Sequence, residues 1–367
     1  MYKIPFSKPH LTPGDIKMVS DCLKSTWISS KSPQVERFER MFAEKVSQTR
    51  YAIAVNSATS GLFLALKALG IKEGDEVILP TFTMIATMNA VLLAGAKPVL
   101  ADCKDSSDWN ISPDGVLKKI SKKTKAVIPV HIYGFVCEMD KINDLAKRER
   151  IFVLEDAAEA MGSEYKGRRA GNFGDLACFS LYANKIITTG NGGMVTTNDR
   201  KLYEILTKIR FFGFGEERHF QHKIVGYNMA LTGLQASLGI SQLKRFRKYV
   251  AKRKLIHQWW KTYLKPTGLK VVEAPPNQNP NYWFPAVLFP SSNLKNKIAN
   301  LLEKNGVETR NFFMPLHRQP VFTKMFKKEK LPISESFFEK GLLLPSYYEL
   351  SEKDVNWASG VVMKAIK

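Results

Sequence analysis

An α/β fold built on a mainly parallel sheet is predicted by two observations. Short apolar runs recur between residues 51 and 200, and stretches of helical periodicity separate many of them. Tyr51–Val55 is the first such run, and small and hydroxylated residues, Asn56 to Gly61, lead from it into an apolar-periodic helix, Leu62 to Leu69. Glu76–Leu79, Pro98–Ala101, Ala126–Ile132, Ile151–Glu155, Ala177–Leu181 and Gly193–Thr197 complete a set of seven candidate strands. Met84–Leu93 and Lys141–Arg148 carry helical periodicity and suit the crossovers that parallel strands require.

After Asn198 the pattern changes to long helices, Arg200–Phe211 and then a single span Leu234–Tyr263, followed by the Pro-rich stretch Glu273–Pro280. Strand-like Tyr282–Phe289, a helix Leu294–Asn305, a strand Val307–Phe313 and a terminal helix Glu352–Lys367 suit a smaller α+β domain. The expected division is residues 1–240, a large domain with an amino-terminal arm, and residues 241–367.

Composition narrows the class. With 367 residues and 44% apolar content the chain has enough material for a large core. Residues 1–10 lack the apolar centre of a signal peptide and no run approaches a membrane helix, so a cytoplasmic protein without membrane contact is expected. Cys22, Cys103, Cys137 and Cys178 form no Cys-x-x-Cys pair, which supports neither a metal site nor a disulfide framework. The formal charge of +21 raises the question of nucleic acid, but the basic residues are dispersed. Their densest block, Lys244 to Lys254, has Leu243, Phe246, Val250 and Leu255 at helical spacing and reads as an amphipathic helix with a solvated basic face.

Asp156 closes the run Ile151–Glu155, and Lys185 lies further on, just ahead of Gly190, Gly192 and Gly193. Alone, an Asp at a strand end and a Lys in a loop are most often a helix cap and a solvated charge. Together they suit pyridoxal phosphate, whose aldehyde condenses with a lysine amine while a carboxylate keeps the pyridine nitrogen protonated. Asn56-Ser57-Ala58-Thr59-Ser60-Gly61, between a strand and a helix, is the phosphate seat this cofactor needs, because free amides at a helix start point at an anion. Ser180, at the end of Ala177–Leu181, offers a second hydroxyl.

These residues belong to a longer ordered series. Ser25-Thr26-Trp27-Ile28-Ser29, Pro80-Thr81-Phe82-Thr83, Ala86-Thr87, Val130-His131-Ile132-Tyr133-Gly134 and Glu155-Asp156-Ala157-Ala158-Glu159-Ala160 come first. Phe173-Gly174-Asp175, Asn184-Lys185, Gly226-Tyr227-Asn228, Thr232-Gly233-Leu234-Gln235-Ala236 and Pro315-Leu316-His317 follow. Over nearly its whole length the chain resembles the DegT/DnrJ/EryC1/StrS sugar aminotransferases, which have the aspartate aminotransferase fold (fold type I of pyridoxal phosphate enzymes).

The resemblance implies a role for each matching residue. Lys185 is the attachment lysine, Asp156 the partner of the ring nitrogen, and Glu159 a contact near the ring's phenolic oxygen. Ser57, Ala58, Thr59 and Ser180 hold the phosphate, Met84 packs on the ring, and Asn228 reaches the phosphate of a neighbouring subunit in a homodimer with shared active sites. Trp27, Ser29, His131, Arg310 and His317 are the implied substrate contacts, although Trp27 and His131 fit the core equally well. The cofactor alternates between pyridoxal 5'-phosphate and pyridoxamine 5'-phosphate.

Glu159 where many relatives carry Gln, the Trp27–Ser29 segment and Thr309–His317 are most similar to members acting on C4 of nucleotide-linked 4-keto-6-deoxyhexoses. The expected reaction takes GDP-4-keto-6-deoxy-D-mannose to GDP-perosamine with L-glutamate as donor, and UDP- or dTDP-linked 4-keto or 3-keto sugars are the alternatives. Ala58 where Gly is frequent, Met84 in place of a ring, Ala230 in place of Arg and Asn191 in place of Glu depart from the family pattern. A sugar 3-dehydratase of the family would carry His at position 185, and a cysteine desulfurase would need a mobile nucleophilic Cys in an electropositive loop, whereas Cys103, Cys137 and Cys178 lie within or beside apolar strands. A nucleic-acid-binding protein rests on charge alone.

Overall fold

The computed structural model describes residues 2–213 and 221–366, and the predicted helical residue Lys367 lies outside them. All seven apolar runs join one sheet: β1 (Tyr51–Val55), β2 (Glu76–Pro80), β3 (Lys97–Ala101), β4 (Thr124–Val127), β5 (Phe152–Asp156), β6 (Leu176–Ser180) and β7 (Gly193–Thr197), in the order β1-β7-β6-β5-β4-β2-β3. β3, β2, β4, β5 and β6 pair in parallel, and β7 runs antiparallel to both β1 and β6. Every residue of β2, β6 and β7 is buried, as strands covered by helices on both faces must be.

Register places the chemistry. Gly193 sits between Val55 and Ser180, and Cys178 lies opposite Asp156, so the ends of β1, β5, β6 and the start of β7 meet at one edge of the sheet. Gly61 makes that meeting close, because a Cβ there would stand 2.6 Å from the Cys178 Sγ. Helix Ala58–Ala68 therefore packs directly on β6, and its first turn faces the end of that strand.

A second sheet joins β8 (Lys270–Val271), β9 (Ala286–Leu288), β10 (Arg310–Asn311) and β11 (Gly341–Leu343) in the order β8-β9-β11-β10. Around it Ile256, Trp260, Leu302, Val355 and Val362 form a separate apolar core. Ile4 joins that core, its N–H donating to the Gly306 carbonyl at 3.0 Å.

Three expectations need correction. The span Leu234–Tyr263 is two helices, Gly233–Leu243 and Phe246–Leu264, because Arg245 leaves helical geometry (φ −110°, ψ 5°) to reach Asp15 and Tyr249. The buried stripe of the second helix is Phe246, Tyr249, Arg253, Ile256, His257, Trp260 and Leu264, which turns Leu255 outward and Arg253 inward, so the basic face is not wholly solvated. Finally, Ala126–Ile132 is strand only to Val127; a tight turn, Ile132–Gly134, follows with Tyr133 at φ +53°.

Candidate active site

Asp156 ends β5 with its side chain buried. One carboxylate oxygen accepts the Thr87 hydroxyl at 2.7 Å and the other the Ala158 N–H at 3.1 Å. Burial pushes this carboxyl above its ordinary value, while those two donors and the Lys185 charge pull it back. A carboxylate so placed gains from a cationic partner.

Lys185 projects from the loop after β6, and its side chain is only 11% exposed. Its Nζ stands 3.9 Å from Glu159 Oε1, beyond hydrogen-bond distance, and 3.5 Å from the centre of the Trp283 ring. Burial lowers the ammonium's proton affinity, against the charges of Glu159 and Asp156. Glu159 is raised to about 7, chiefly by burial, with Lys185 and the Tyr133 N–H opposing it. A buried amine inclined toward neutrality between two carboxylates can serve as nucleophile and as proton carrier.

Ser57 caps helix Ala58–Ala68, accepting the Ser60 N–H at 3.1 Å and leaving the first amides of the helix without intrahelical partners. Gly193 presses on that turn: a Cβ there would stand 2.7 Å from the Ala58 nitrogen and from the Ser57 carbonyl atoms. Ser180 is buried beside it. Ala58 and Thr59 thus lie in the first turn, and Met84, half exposed, caps the next helix, Ile85–Leu93.

The remaining predicted residues divide. Trp27 and Ser29 are exposed, on a loop fastened to Gly233, whose N–H donates to the carbonyls of Ile28 and Ser29. Arg310 is exposed and bonded to Glu308. Asn228 is exposed, on a segment that bridges to Phe211 and whose neighbour Met229 accepts the Asn56 N–H. His131 is fully buried, its Nε2 2.9 Å from Glu155, which also takes the N–H groups of Gly171, Phe173 and Gly174. His317 is buried between the Thr81 hydroxyl and Glu335, both at 2.8 Å.

Four further residues shape the site, none of them assigned a role by the sequence alone. Thr87 bonds Asp156, Trp283 lies under Lys185, and Tyr133 donates its N–H to Glu159 at 2.7 Å. Asn281, fully buried, bonds the carbonyls of Glu159 and Met161. Thr87 and Tyr133 stand inside the Ala86-Thr87 and Val130–Gly134 motifs, whereas Asn281 and Trp283 lie far along the chain with no local signal.

These residues fit pyridoxal phosphate. The helix start pressed by Gly193 forms a close-walled anion seat, Asp156 faces inward at the neighbouring strand end, and the Lys185 amine is not captured by a carboxylate. The four cysteines are buried and free of disulfides, and burial raises the thiols of Cys103, Cys137 and Cys178, which does not suit those three to a desulfurase nucleophile. Among the described residues, no helix is long and apolar enough to cross a membrane.

Comparison with known proteins gives concordant matches. The family model of the DegT/DnrJ/EryC1/StrS aminotransferase family matches residues 9–363. A GDP-perosamine synthase from Escherichia coli O157:H7 is 39% identical over 97% of this chain and 96% of its own, and one from Vibrio cholerae is 35% identical over 96% of each. Among solved structures, Spr1654 from Streptococcus pneumoniae, described as a sugar aminotransferase, superposes at 26% identity. Its PMP form gives a TM-score of 0.94 and covers 99% of both chains, and its PLP form gives 0.93 and covers 100% of this chain and 99% of that one.

Proposed function

The chain belongs to the DegT/DnrJ/EryC1/StrS aminotransferase family, and on that premise we propose that it moves an amino group from L-glutamate to C4 of GDP-4-keto-6-deoxy-D-mannose, giving GDP-perosamine. It is a pyridoxal phosphate-dependent aminotransferase acting on nucleotide sugars. The observation that carries the chemistry is the juxtaposition of Lys185 with two buried carboxylates. The preference for a GDP-linked sugar draws its support from the near full-length similarity to proteins named GDP-perosamine synthase.

Pyridoxal phosphate, when bound, supplies an aldehyde that carries the amino group and a ring that withdraws the electrons left by a lost proton. Asp156 balances the ring's positive charge, fixed in orientation by Thr87 and the Ala158 N–H. The amides at the start of helix Ala58–Ala68, with Ser180, hold the phosphate. Lys185 would hold the aldehyde through Nζ and, as a free amine, would take the donor's Cα proton on Nζ and hand it on to the carbon that carries the amino group, a role that its lowered proton affinity favours. Glu159, 3.9 Å from that amine, adds a negative charge that favours its protonated form.

Arg310, Trp27 and Ser29, all exposed, are the residues assigned to the sugar nucleotide, whose diphosphate suits the Arg310 guanidinium. His131 and His317, with both flanks engaged inside the protein, position the segments that carry Asp156 and Pro315. Exposed Asn228 completes the phosphate seat of a second copy in a homodimer. The test supplies the protein with pyridoxal phosphate, L-glutamate and GDP-, UDP- and dTDP-linked 4-keto-6-deoxyhexoses and weighs the products. Turnover highest on the GDP-linked compound supports the assignment; equal failure on all three removes 4-keto-6-deoxy sugars as its substrates.

A further inference from the structure

We propose that Trp283 is a positioning residue for Lys185: its ring face seats the unattached amine and favours its protonated form, while its indole N–H fixes the turn from which the lysine projects. The inference rests on the transamination reading, in which Lys185 must alternate between attached and free. A free lysine on a flexible four-carbon stem needs a resting place near the reacting carbon, and water is largely excluded from this one.

The geometry is specific. Lys185 Nζ stands 3.5 Å from the Trp283 ring centre, and the Trp283 Nε1–H donates to the carbonyl of Asn184, the residue before it, at 2.9 Å. Trp283 is itself held, its main-chain N–H donating to Asn281 Oδ1 at 2.8 Å. The Asn281 amide donates in turn to the Glu159 carbonyl at 2.8 Å and the Met161 carbonyl at 3.0 Å. One fully buried side chain thus fixes both the indole and the segment bearing Glu159, the two groups beside Nζ. Gly134 leaves room for it: with φ at +92°, a Cβ there would stand 2.0 Å from Asn281 Oδ1.

The electrostatic argument has a definite sign. Burial disfavours the ammonium, and an aromatic face opposes that by attracting the cation with its ring quadrupole, most strongly where water is excluded. Glu159 and Asp156 act in the same direction as the ring, and a cleft bordering Lys185 is also lined by Lys8, His10, Lys252 and Arg253. Removing the ring face therefore lowers the pH at which Lys185 gives up its proton.

The test compares wild type, Trp283→Phe and Trp283→Leu, each checked for native circular dichroism. In apoprotein, competitive acetylation across pH, read by mass spectrometry at Lys185, gives that amine's titration midpoint. Borohydride reduction of pyridoxal phosphate-loaded protein separately reports attachment at Lys185. The expected result is a midpoint about one pH unit lower in Trp283→Leu, most of which Trp283→Phe restores. An unmoved midpoint in Trp283→Leu, or equal shifts in both variants, overturns the proposal while normal attachment leaves the transamination reading standing. Absence of attachment in the wild type overturns both.

Discussion

Tyr133 links Glu159 to the smaller sheet's flank: its main-chain N–H donates to Glu159 Oε2 at 2.7 Å, and its phenol oxygen accepts the Phe313 N–H at 3.0 Å. The residue holds this position at φ +53°, an uncommon conformation for a large side chain. Tyr133→Phe keeps the bond to Glu159 and strips the acceptor from Phe313. Stability should fall by about 1 kcal/mol in urea unfolding, and KM for the sugar nucleotide should rise several-fold with cofactor absorbance unchanged. An unchanged KM would remove Tyr133 from the coupling between Glu159 and the 310–317 segment.

Gly193 presses on the helix start, where an added Cβ would stand 2.7 Å from main-chain atoms of Ser57 and Ala58. Gly193→Ala must push that turn away from β7. Affinity for pyridoxal phosphate, measured by absorbance titration, should weaken by about tenfold, the equivalent of one lost charge-assisted hydrogen bond.

Asp156→Asn replaces a carboxylate with a neutral amide while keeping its size. Without the negative charge the ring nitrogen loses its counter-ion, and kcat should fall on the order of 10²-fold. Stability should change little or rise, because burial already penalises this charge. Single-turnover kinetics with L-glutamate alone check the loss without involving the sugar.

His257 stacks on Tyr282 at 3.7 Å and 16°, and neither ring nitrogen has a hydrogen-bond partner among the described residues. Burial lowers its pKa from 6.5 to about 4, with Glu273 opposing and Lys261 assisting the shift. Between those values the unfolded chain binds a proton that the folded one does not, so stability falls as pH drops from 6.5 toward 4 and is unaffected above 6.5. The full loss is about 3 kcal/mol. Thermal unfolding of His257→Phe should show a flatter acid limb than wild type and a similar Tm at pH 7.5.

Much of this was legible from the chain because local signals and tertiary roles coincide. Apolar runs such as Tyr51–Val55 and Gly193–Thr197 match their strands because burial on both faces leaves no charged positions to blur them. The helix after Ser57 begins four residues before its apolar stripe, since the cap and not the periodicity sets its start. Tyr282–Phe289 and Val307–Phe313 shrink to Ala286–Leu288 and Arg310–Asn311, because β propensity does not supply a pairing partner along the whole run. In the site, Asp156 and Lys185 stand in dense local patterns. Asn281 and Trp283 reach Glu159 and Lys185 only through the folding of distant segments, and no spacing in the sequence records such contacts.

The most direct measurement reduces the pyridoxal phosphate-loaded protein with borohydride and maps the modified residue by peptide mass spectrometry, beside a Lys185→Ala variant assayed for repeated turnover. The structure predicts a pyridoxyl group on Lys185 and no sustained amino transfer by the variant. An unmodified Lys185, or a variant that keeps turning over, would contradict the assignment.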